Sequence, residues 1–175
     1  MILQTERLFL REMTQADHPA LSAILQDARV MRAYEGPFCD DDVQGWLDRQ
    51  LARYREHGFG LWAVVLKETG VMIGQCGLTM QAVNGEQVPE IGYLLAYDFW
   101  HCGYATEAAI ACREYAFHLG FGAVYSIIRD SNTASQRVAA RNGMVPIGQF
   151  VKHYRGVDMP HIVYCVKKEQ LPREN

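Results

Sequence analysis

The sequence predicts an α/β fold of the α+β kind, with a mixed and mostly antiparallel central sheet, flanking helices and one parallel strand–helix–strand unit. Three observations lead to this prediction. Strand-like segments follow one another closely in the middle of the chain. A helical segment then separates the last of them from a further strand. The chain has 175 residues, about the length of one typical domain. We therefore expect a single domain that spans residues 1–175.

The first third of the chain predicts one strand and two helices. Residues 2–12 alternate loosely between apolar and polar side chains, as a strand does. Thr14 and Asp17 then form a capping-box pattern that marks the start of a helix. Acidic residues at 40–42 favour the positive end of a second helix, which is expected to end near Gly58.

The middle of the chain predicts an antiparallel meander. Its three strands are expected at residues 61–67, 71–81 and 87–96. The Asn84-Gly85 pair between the last two is a favoured two-residue hairpin turn, because both positions tolerate positive φ. Pro89 cannot donate a ladder hydrogen bond, so we expect irregular geometry around the residue that follows it, Glu90.

The last third predicts a helix, a strand, a short helix and a hairpin. Small and apolar residues form one stripe of a helix over residues 105–119, and Gly120 is placed to stop it. A strand follows at residues 124–129, and Asn132 is placed to cap a short helix. A final hairpin is expected over residues 145–168, with its turn near Arg155-Gly156.

Composition and charge exclude several classes of protein. Seventeen basic and twenty acidic residues give a net charge of -3, so the chain has no cationic excess with which to bind nucleic acid. We expect no membrane partner, because no apolar run approaches the ~20 residues that a spanning helix needs. Five scattered cysteines predict neither a disulfide framework nor a zinc site, and we expect no metal and a cytoplasmic location.

A candidate anion site lies where the third strand of the meander leads into the next helix. Ligands in open sheets of this kind sit beyond the carboxyl ends of strands, beside a helix N-terminus. There, backbone N–H groups and the helix dipole can hold a phosphate without a lysine. Gly103 could serve this purpose, or it could simply start a tightly packed helix. The segment reads Trp100-His101-Cys102-Gly103-Tyr104-Ala105-Thr106.

Taken together, the motifs resemble the GNAT acetyltransferase superfamily, and specifically the branch related to ribosomal-protein N-terminal acetyltransferases. The resemblance covers nearly the whole chain. It rests on the order and spacing of Thr5-Glu6-Arg7-Leu8-Phe9-Leu10-Arg11, Glu90-Ile91-Gly92-Tyr93-Leu94-Leu95, Trp100-x-x-Gly103-Tyr104-Ala105-Thr106-Glu107-Ala108, Asn132-x-x-Ser135 and Gly143-Met144.

This resemblance implies acetyl-CoA as the acetyl donor. Backbone groups of a parted strand at Leu94, Leu95 and Ala96 would pair with its pantetheine arm, and the N–H near Leu94 would act as the oxyanion donor. Asn132 and Ser135 would also contact the coenzyme. Main-chain N–H groups of the loop would hold the pyrophosphate, namely those of His101, Cys102, Gly103, Tyr104, Ala105 and Thr106. The usual loop cation is absent from Trp100, His101 and Cys102.

The resemblance also implies catalytic residues. Glu90 occupies the strand position of the general base in several relatives, although it could instead be a carboxylate that pairs within the sheet. The position of the family's tyrosine acid holds Ala139. Ser135 is the substitute that the N-terminal acetyltransferase branch suggests, or only a capping residue. A nucleophilic role for Cys102 is the weaker reading of that residue, since direct transfer is the family's mechanism.

The predicted function is transfer of an acetyl group to a primary amine in a ternary complex. A protein or peptide α-amine is favoured over lysine, because its pKa of about 7.7–8.0 leaves part of it uncharged at neutral pH. Two alternatives stay open: acetylation of a small molecule such as an antibiotic or a polyamine, and non-catalytic binding of acyl-CoA. A partner-binding domain without the coenzyme is a third possibility. The protein is expected to act as a monomer or homodimer.

Overall fold

The computed structural model describes residues 1–154 and 156–170, whose strands form one eight-stranded sheet in the order β1-β2-β3-β4-β5-β6-β8-β7. All neighbouring strands are antiparallel except β5 and β6, which confirms the mixed, mostly antiparallel fold class. The strands are β1 Leu3–Gln4, β2 Leu8–Arg11, β3 Leu61–Leu66, β4 Met72–Val83, β5 Glu86–Leu95, β6 Ala123–Arg129, β7 Val145–Tyr154 and β8 Val157–Lys167.

The helices are α1 His18–Leu25, α2 Ala28–Met31, α3 Asp40–His57, α4 Tyr104–His118 and α5 Thr133–Arg141. Short 3-10 turns lie at Gln15–Asp17, Arg32–Tyr34, Tyr97–Phe99 and Lys168–Gln170. The capping box before α1 is confirmed, because the Thr14 backbone N–H donates to Asp17 Oδ2 at 2.8 Å. Helix α2 was not predicted, since four residues are too few to show a helical period.

The expected first strand is in fact two strands. The Thr5 backbone N–H donates to the Leu8 carbonyl at 2.9 Å, and this turn divides residues 2–12 into β1 and β2. The Asn84-Gly85 turn is as expected, with φ values of 52° and 85°. Of the predicted final turn, Arg155 lies outside the described residues, whereas Gly156 has a φ of 75°.

Two hydrophobic cores lie on the two faces of the sheet. Helices α1, α2 and α3 pack on one face, where Leu94 joins them, and α4 and α5 pack on the other, with Ile91, Tyr93 and Leu95. Odd-numbered residues of β5 therefore face α4, and even-numbered residues, Glu90 among them, face α3. We call these two sides the α4 face and the α3 face.

Strands β5 and β6 part soon after they meet. β5 pairs with β4 without interruption from Glu86 to Leu95, but its parallel pairing with β6 is confined to Glu90 and Tyr125. The irregularity expected beside Pro89 is therefore wrong for the β4 side, where the register does not shift. On the β6 side, the sheet opens toward the carboxyl ends of both strands.

Candidate active site

A cleft of about 1480 Å³ lies where β5 and β6 part. Residues from both faces of the sheet line it, including Trp46 and Arg53 of α3 on one side and Ala105 and Ser135 on the other. The cleft therefore reaches both faces, so that two molecules can meet inside it from opposite sides.

The N-terminus of α4 forms one wall of this cleft. Gly103 precedes the helix with a φ of 84°, a left-handed conformation that favours glycine, and no side chain caps the helix. His101 also has a positive φ, 61°. The first N–H groups of a helix have no partner within it, so those of Tyr104 to Thr106 suit a phosphate group. All the loop residues predicted for this purpose, His101 to Thr106, line the cleft.

A polar cluster fixes the start of α4 to the β1–β2 turn. Glu107 Oε1 accepts hydrogen bonds from Thr5 Oγ1 at 2.6 Å and from the Arg7 backbone N–H at 2.9 Å. The Arg7 guanidinium pairs with Glu107 at 2.7 Å and donates to the Cys102 carbonyl at 3.0 Å. Burial opposes ionisation of Glu107, but the bonds from Thr5 and Arg7 hold its pKa below the ordinary value. We call Thr5, Arg7 and Glu107 the loop clamp.

The loop before α4 lacks the expected cation, but helix α5 places two arginines in the cleft. Arg137 and Arg141 line the cleft and lie four residues apart on the same face of the helix. Guanidinium groups bind phosphate oxygens well, so these side chains can serve a nucleotide-bearing ligand. No role was predicted for these two arginines, although their four-residue spacing beside Asn132 is visible in the sequence.

The register of β5 bears on the predicted backbone donor. Ala96 N–H donates to the Ile73 carbonyl of β4 at 2.9 Å. Because backbone groups alternate along an antiparallel strand, the N–H of Leu94 also faces β4. The carbonyl of Leu95 faces the opening and accepts from Trp100 Nε1 at 2.9 Å. The donors directed into the cleft are thus those of Tyr93 and Leu95, one residue to either side of the expected one.

Glu90 lies at the point where the two strands separate. Its carboxylate accepts from the Ile127 backbone N–H of β6 at 3.2 Å and from Thr79 Oγ1 of β4 at 3.3 Å. Burial raises the pKa of the Glu90 carboxyl, although the charge of Lys152 and these hydrogen bonds act in the opposite direction. A raised pKa makes this carboxylate a stronger base than an exposed glutamate, as a proton acceptor requires.

Ser135, Asn132 and Tyr93 are linked on the α4 face. Asn132 caps α5 by accepting from the Ser135 backbone N–H at 3.2 Å, and Tyr93 donates from its hydroxyl to the Ser135 carbonyl at 2.7 Å. All three line the cleft. Ala139, which occupies the position of the family's tyrosine acid, is buried in the core. Tyr93 belongs to a motif quoted above, but no role was predicted for its hydroxyl.

Two other predicted site residues, Ala96 and Cys102, differ in their position relative to the cleft. Ala96 is not among the residues that line the cleft, and its N–H donates to the Ile73 carbonyl of β4. Cys102 is exposed at the mouth of the cleft, where its thiol donates to the Trp100 carbonyl at 3.4 Å. No contact in the described part of the chain gives this thiol a base.

Neither a metal site nor a membrane span is found in the described residues. No group of three or more His, Cys, Asp or Glu side chains within 1–154 and 156–170 could hold a metal ion. None of the helices in these ranges has the length and hydropathy needed to cross a membrane.

A split strand pair beside an uncapped helix N-terminus suits an extended ligand that carries phosphates, as a coenzyme A thioester does. These features define the class of acetyl-CoA-dependent acetyltransferases. The comparisons with known proteins agree, since residues 7–145 match the model of the acetyltransferase (GNAT) domain. The chain belongs to the GNAT acetyltransferase family and uses acetyl-CoA.

Individual relatives support this assignment. An uncharacterised Bacillus subtilis protein, YkkB, is 36% identical over 164 residues, which is 93% of each chain. A GNAT acetyltransferase from Bacillus anthracis superposes with a TM-score of 0.83 at 25% identity, covering 97% of this chain and 100% of that one. The ribosomal L7/L12 alpha-N-protein acetyltransferase RimL, solved with coenzyme A, shares the fold with a TM-score of 0.77 at 18% identity, covering 95% and 97%.

Proposed function

We propose that this protein transfers the acetyl group of acetyl-CoA directly to the α-amine of a protein or peptide N-terminus. The observation that carries the proposal is the cleft that reaches both faces of the sheet and is lined by Glu90 at the point where β5 and β6 part. The coenzyme would bind on the α4 face, and the acceptor would enter from the α3 face. No covalent enzyme intermediate is needed, because both molecules reach the same point.

Each group at the split has a distinct task in this proposal. Glu90 accepts the proton that the amine loses, either directly or through a water molecule. The N–H groups of Tyr93 and Leu95 stabilise the negative charge that develops on the thioester oxygen. Ser135, on the α4 face, holds a hydroxyl proton for the departing thiolate. A thiolate is a good leaving group, so this last contribution is expected to be small.

The choice of an α-amine follows from proton equilibria. An α-amine with a pKa of about 7.7–8.0 is partly uncharged at neutral pH, whereas a lysine with a pKa of about 10.4 is uncharged only to about one part in a thousand. A single half-buried carboxylate can more easily complete the deprotonation of the first. RimL, which shares the fold, is named for α-N acetylation of a protein.

We also propose a single domain over residues 1–175 that acts in the cytoplasm as a monomer or homodimer. All five cysteines are free thiols, as a reducing compartment favours. Acetylation of a small-molecule amine is the alternative within the same chemistry. Binding of acyl-CoA without transfer is the alternative outside it.

An amine panel with detection of the released thiol tests this function. We expect turnover with short peptides that have a free N-terminus and none with the same peptides after N-terminal blocking, even when they contain lysine. Ser135→Ala should lower kcat only slightly, because the thiolate needs little help to leave. Turnover of polyamines or aminoglycosides alone would favour the small-molecule alternative. Acetyl-CoA binding without any turnover would contradict the enzymatic proposal.

A further inference from the structure

The part of the cleft on the α3 face is cationic. Arg49 and Arg53 of α3 and Lys152 of β7 line it. Glu90 is the carboxylate near them, and the charges of Lys152 and Arg53 both act on it. The other two carboxylates that line the cleft, Glu6 and Glu107, belong to the region of the loop clamp and α4.

These three cations have no carboxylate partner among the described residues. No Asp or Glu oxygen in that part of the chain lies within 4.0 Å of the side-chain nitrogens of Arg49, Arg53 or Lys152. Arg53 donates to the amide oxygen of Gln50 at 3.2 Å, which uses one of its five N–H groups. Two other arginines that line the cleft do have carboxylate partners, since Arg7 pairs with Glu107 and Arg129 pairs with Glu35.

Burial makes this arrangement costly in the absence of a ligand. Arg53 and Lys152 are both half-buried, and a charge withdrawn from water is stabilised only by a partner of opposite sign. Burial, together with the nearby charge of Arg49, lowers the pKa of Arg53. The unused donors of Arg53 and Lys152 border the place where the proposed acceptor must present its amine to Glu90.

We propose that the acceptor carries a carboxylate a few atoms away from its amine and that Arg53 and Lys152 bind this carboxylate. The inference rests on the proposed function and names the substrate class: N-terminal peptides with an acidic residue next to the terminal amine. A cationic pocket repels an ammonium group and favours the uncharged amine that attacks. The carboxylate anchor compensates for that repulsion by charge-assisted hydrogen bonds.

Matched peptides test this inference. Ser-Asp-Ala-Ala and Ser-Asn-Ala-Ala, both as C-terminal amides, differ only by the charged carboxylate. We expect wild-type kcat/KM to be about 10- to 100-fold higher for the Asp peptide, in line with hydrogen bonds to charged groups. Arg53→Gln and Lys152→Gln should each reduce this ratio, and Arg53→Lys should restore part of it. Arg55→Gln, an exposed cation on the same helix, should leave the ratio unchanged.

A binding measurement tests the inference without depending on catalysis. The N-acetylated forms of the two peptides cannot react, and calorimetry can compare their affinities for the protein. If neither free peptide is acetylated, the proposed function fails, and the binding ratio still decides the inference. Equal affinities and equal kcat/KM values for the Asp and Asn peptides would overturn it.

The source of the carboxylate is distinguished by a second pair of probes, free serine and serinamide. A preference for free serine, sensitive to Arg53→Gln, would assign the same anion site to the α-carboxylate of an amino acid. A preference for the Asp peptide alone would assign it to an acidic side chain. A preference for serinamide and the Asn peptide would overturn the inference.

Discussion

In the proposed function, Glu90 has two roles, one structural and one catalytic. Its carboxylate joins β5 to β6 by accepting the Ile127 N–H, and in the proposed mechanism it also accepts the proton of the amine. Burial raises the pKa of this carboxyl, so its ionised form is less stable in the folded protein than in water. Such a cost is typical of groups retained for function rather than stability.

Replacing Glu90 by Gln separates these roles. The amide oxygen of glutamine can still accept the Ile127 N–H, but it cannot take up a proton. We expect Glu90→Gln to lower kcat/KM by about 10²- to 10⁴-fold. A carboxyl with a raised pKa destabilises the fold as the pH rises above its unfolded value of about 4.3, so the variant should be at least as stable as the wild type at pH 7.

The control for this substitution is Glu86→Gln, an exposed carboxylate at the start of the same strand. We expect it to retain wild-type turnover and the wild-type pH profile. Glu90→Gln should also lose the decline in kcat/KM that protonation of the base causes at low pH. Wild-type turnover in Glu90→Gln at every pH would contradict the base assignment, and activity lost together with stability would indicate a structural role.

Among the elements, the start of α4 depends on a distant part of the chain. The loop clamp brings the turn between β1 and β2 against the first helical turn, and Arg7 also lies 4.4 Å from the centre of the Tyr104 ring. In the sequence, Thr5-Glu6-Arg7 and Thr106-Glu107 are separate patterns. In the structure they are in contact with each other. We expect this contact to hold the N–H groups of the loop in place.

Glu107→Gln should loosen this clamp. We expect the KM for acetyl-CoA to rise about 10-fold and the free energy of unfolding to fall by about 1–3 kcal/mol, since donors would lose a charged acceptor. Because folding lowers the pKa of Glu107, its contribution is present above about pH 4.3 and disappears as the pH falls further. Steady-state kinetics and chemical denaturation measure both effects.

Glu114→Gln is the matched control on the same helix. Glu114 is 58% exposed and pairs with the adjacent Arg113, and an exposed pair of this kind contributes about 0–1 kcal/mol. Acetyl-CoA affinity should not change in this variant. If Glu107→Gln behaves like Glu114→Gln, the loop clamp does not position the coenzyme.

The sequence predicts an element well when single residues determine it, and poorly when contacts with distant parts of the chain determine it. The Asn84-Gly85 turn and the α3 stop at Gly58 follow from backbone preferences of single residues, and both are present. The division of β1 from β2 and the four-residue α2 depend on contacts that no periodic pattern records. The donor shift from Leu94 to its neighbours follows from strand register, which the sequence alone does not fix.

At the scale of the whole molecule, net charge is a poor guide to the cleft. The chain carries a net charge of -3, yet eight Arg and Lys side chains and three carboxylates line the cleft. The acidic residues lie elsewhere on the surface, as at the start of α3. Because the charges are separated in space, composition alone cannot reveal the cationic site.

The sheet itself has a weak seam between β5 and β6. One parallel bridge joins them, with side-chain hydrogen bonds from the Ile127 N–H to Glu90 and from Ser126 Oγ to the Ile91 carbonyl at 2.9 Å. β6, β7 and β8 depend on this seam for their attachment to the rest of the sheet. A ligand that pairs with the open edge of β5 would therefore strengthen the molecule as a whole.

Acetyl-CoA should measurably stabilise the fold and protect amides on one side of β5. At a concentration a hundred times its Kd, a ligand adds about 2.7 kcal/mol to the free energy of unfolding. Hydrogen exchange should slow at Tyr93, Leu95 and the first turn of α4, because their N–H groups face the cleft. The Leu94 amide, which faces β4, should show only the effect of global stabilisation. Selective protection of Leu94, or no stabilisation by acetyl-CoA, would contradict this arrangement of donors.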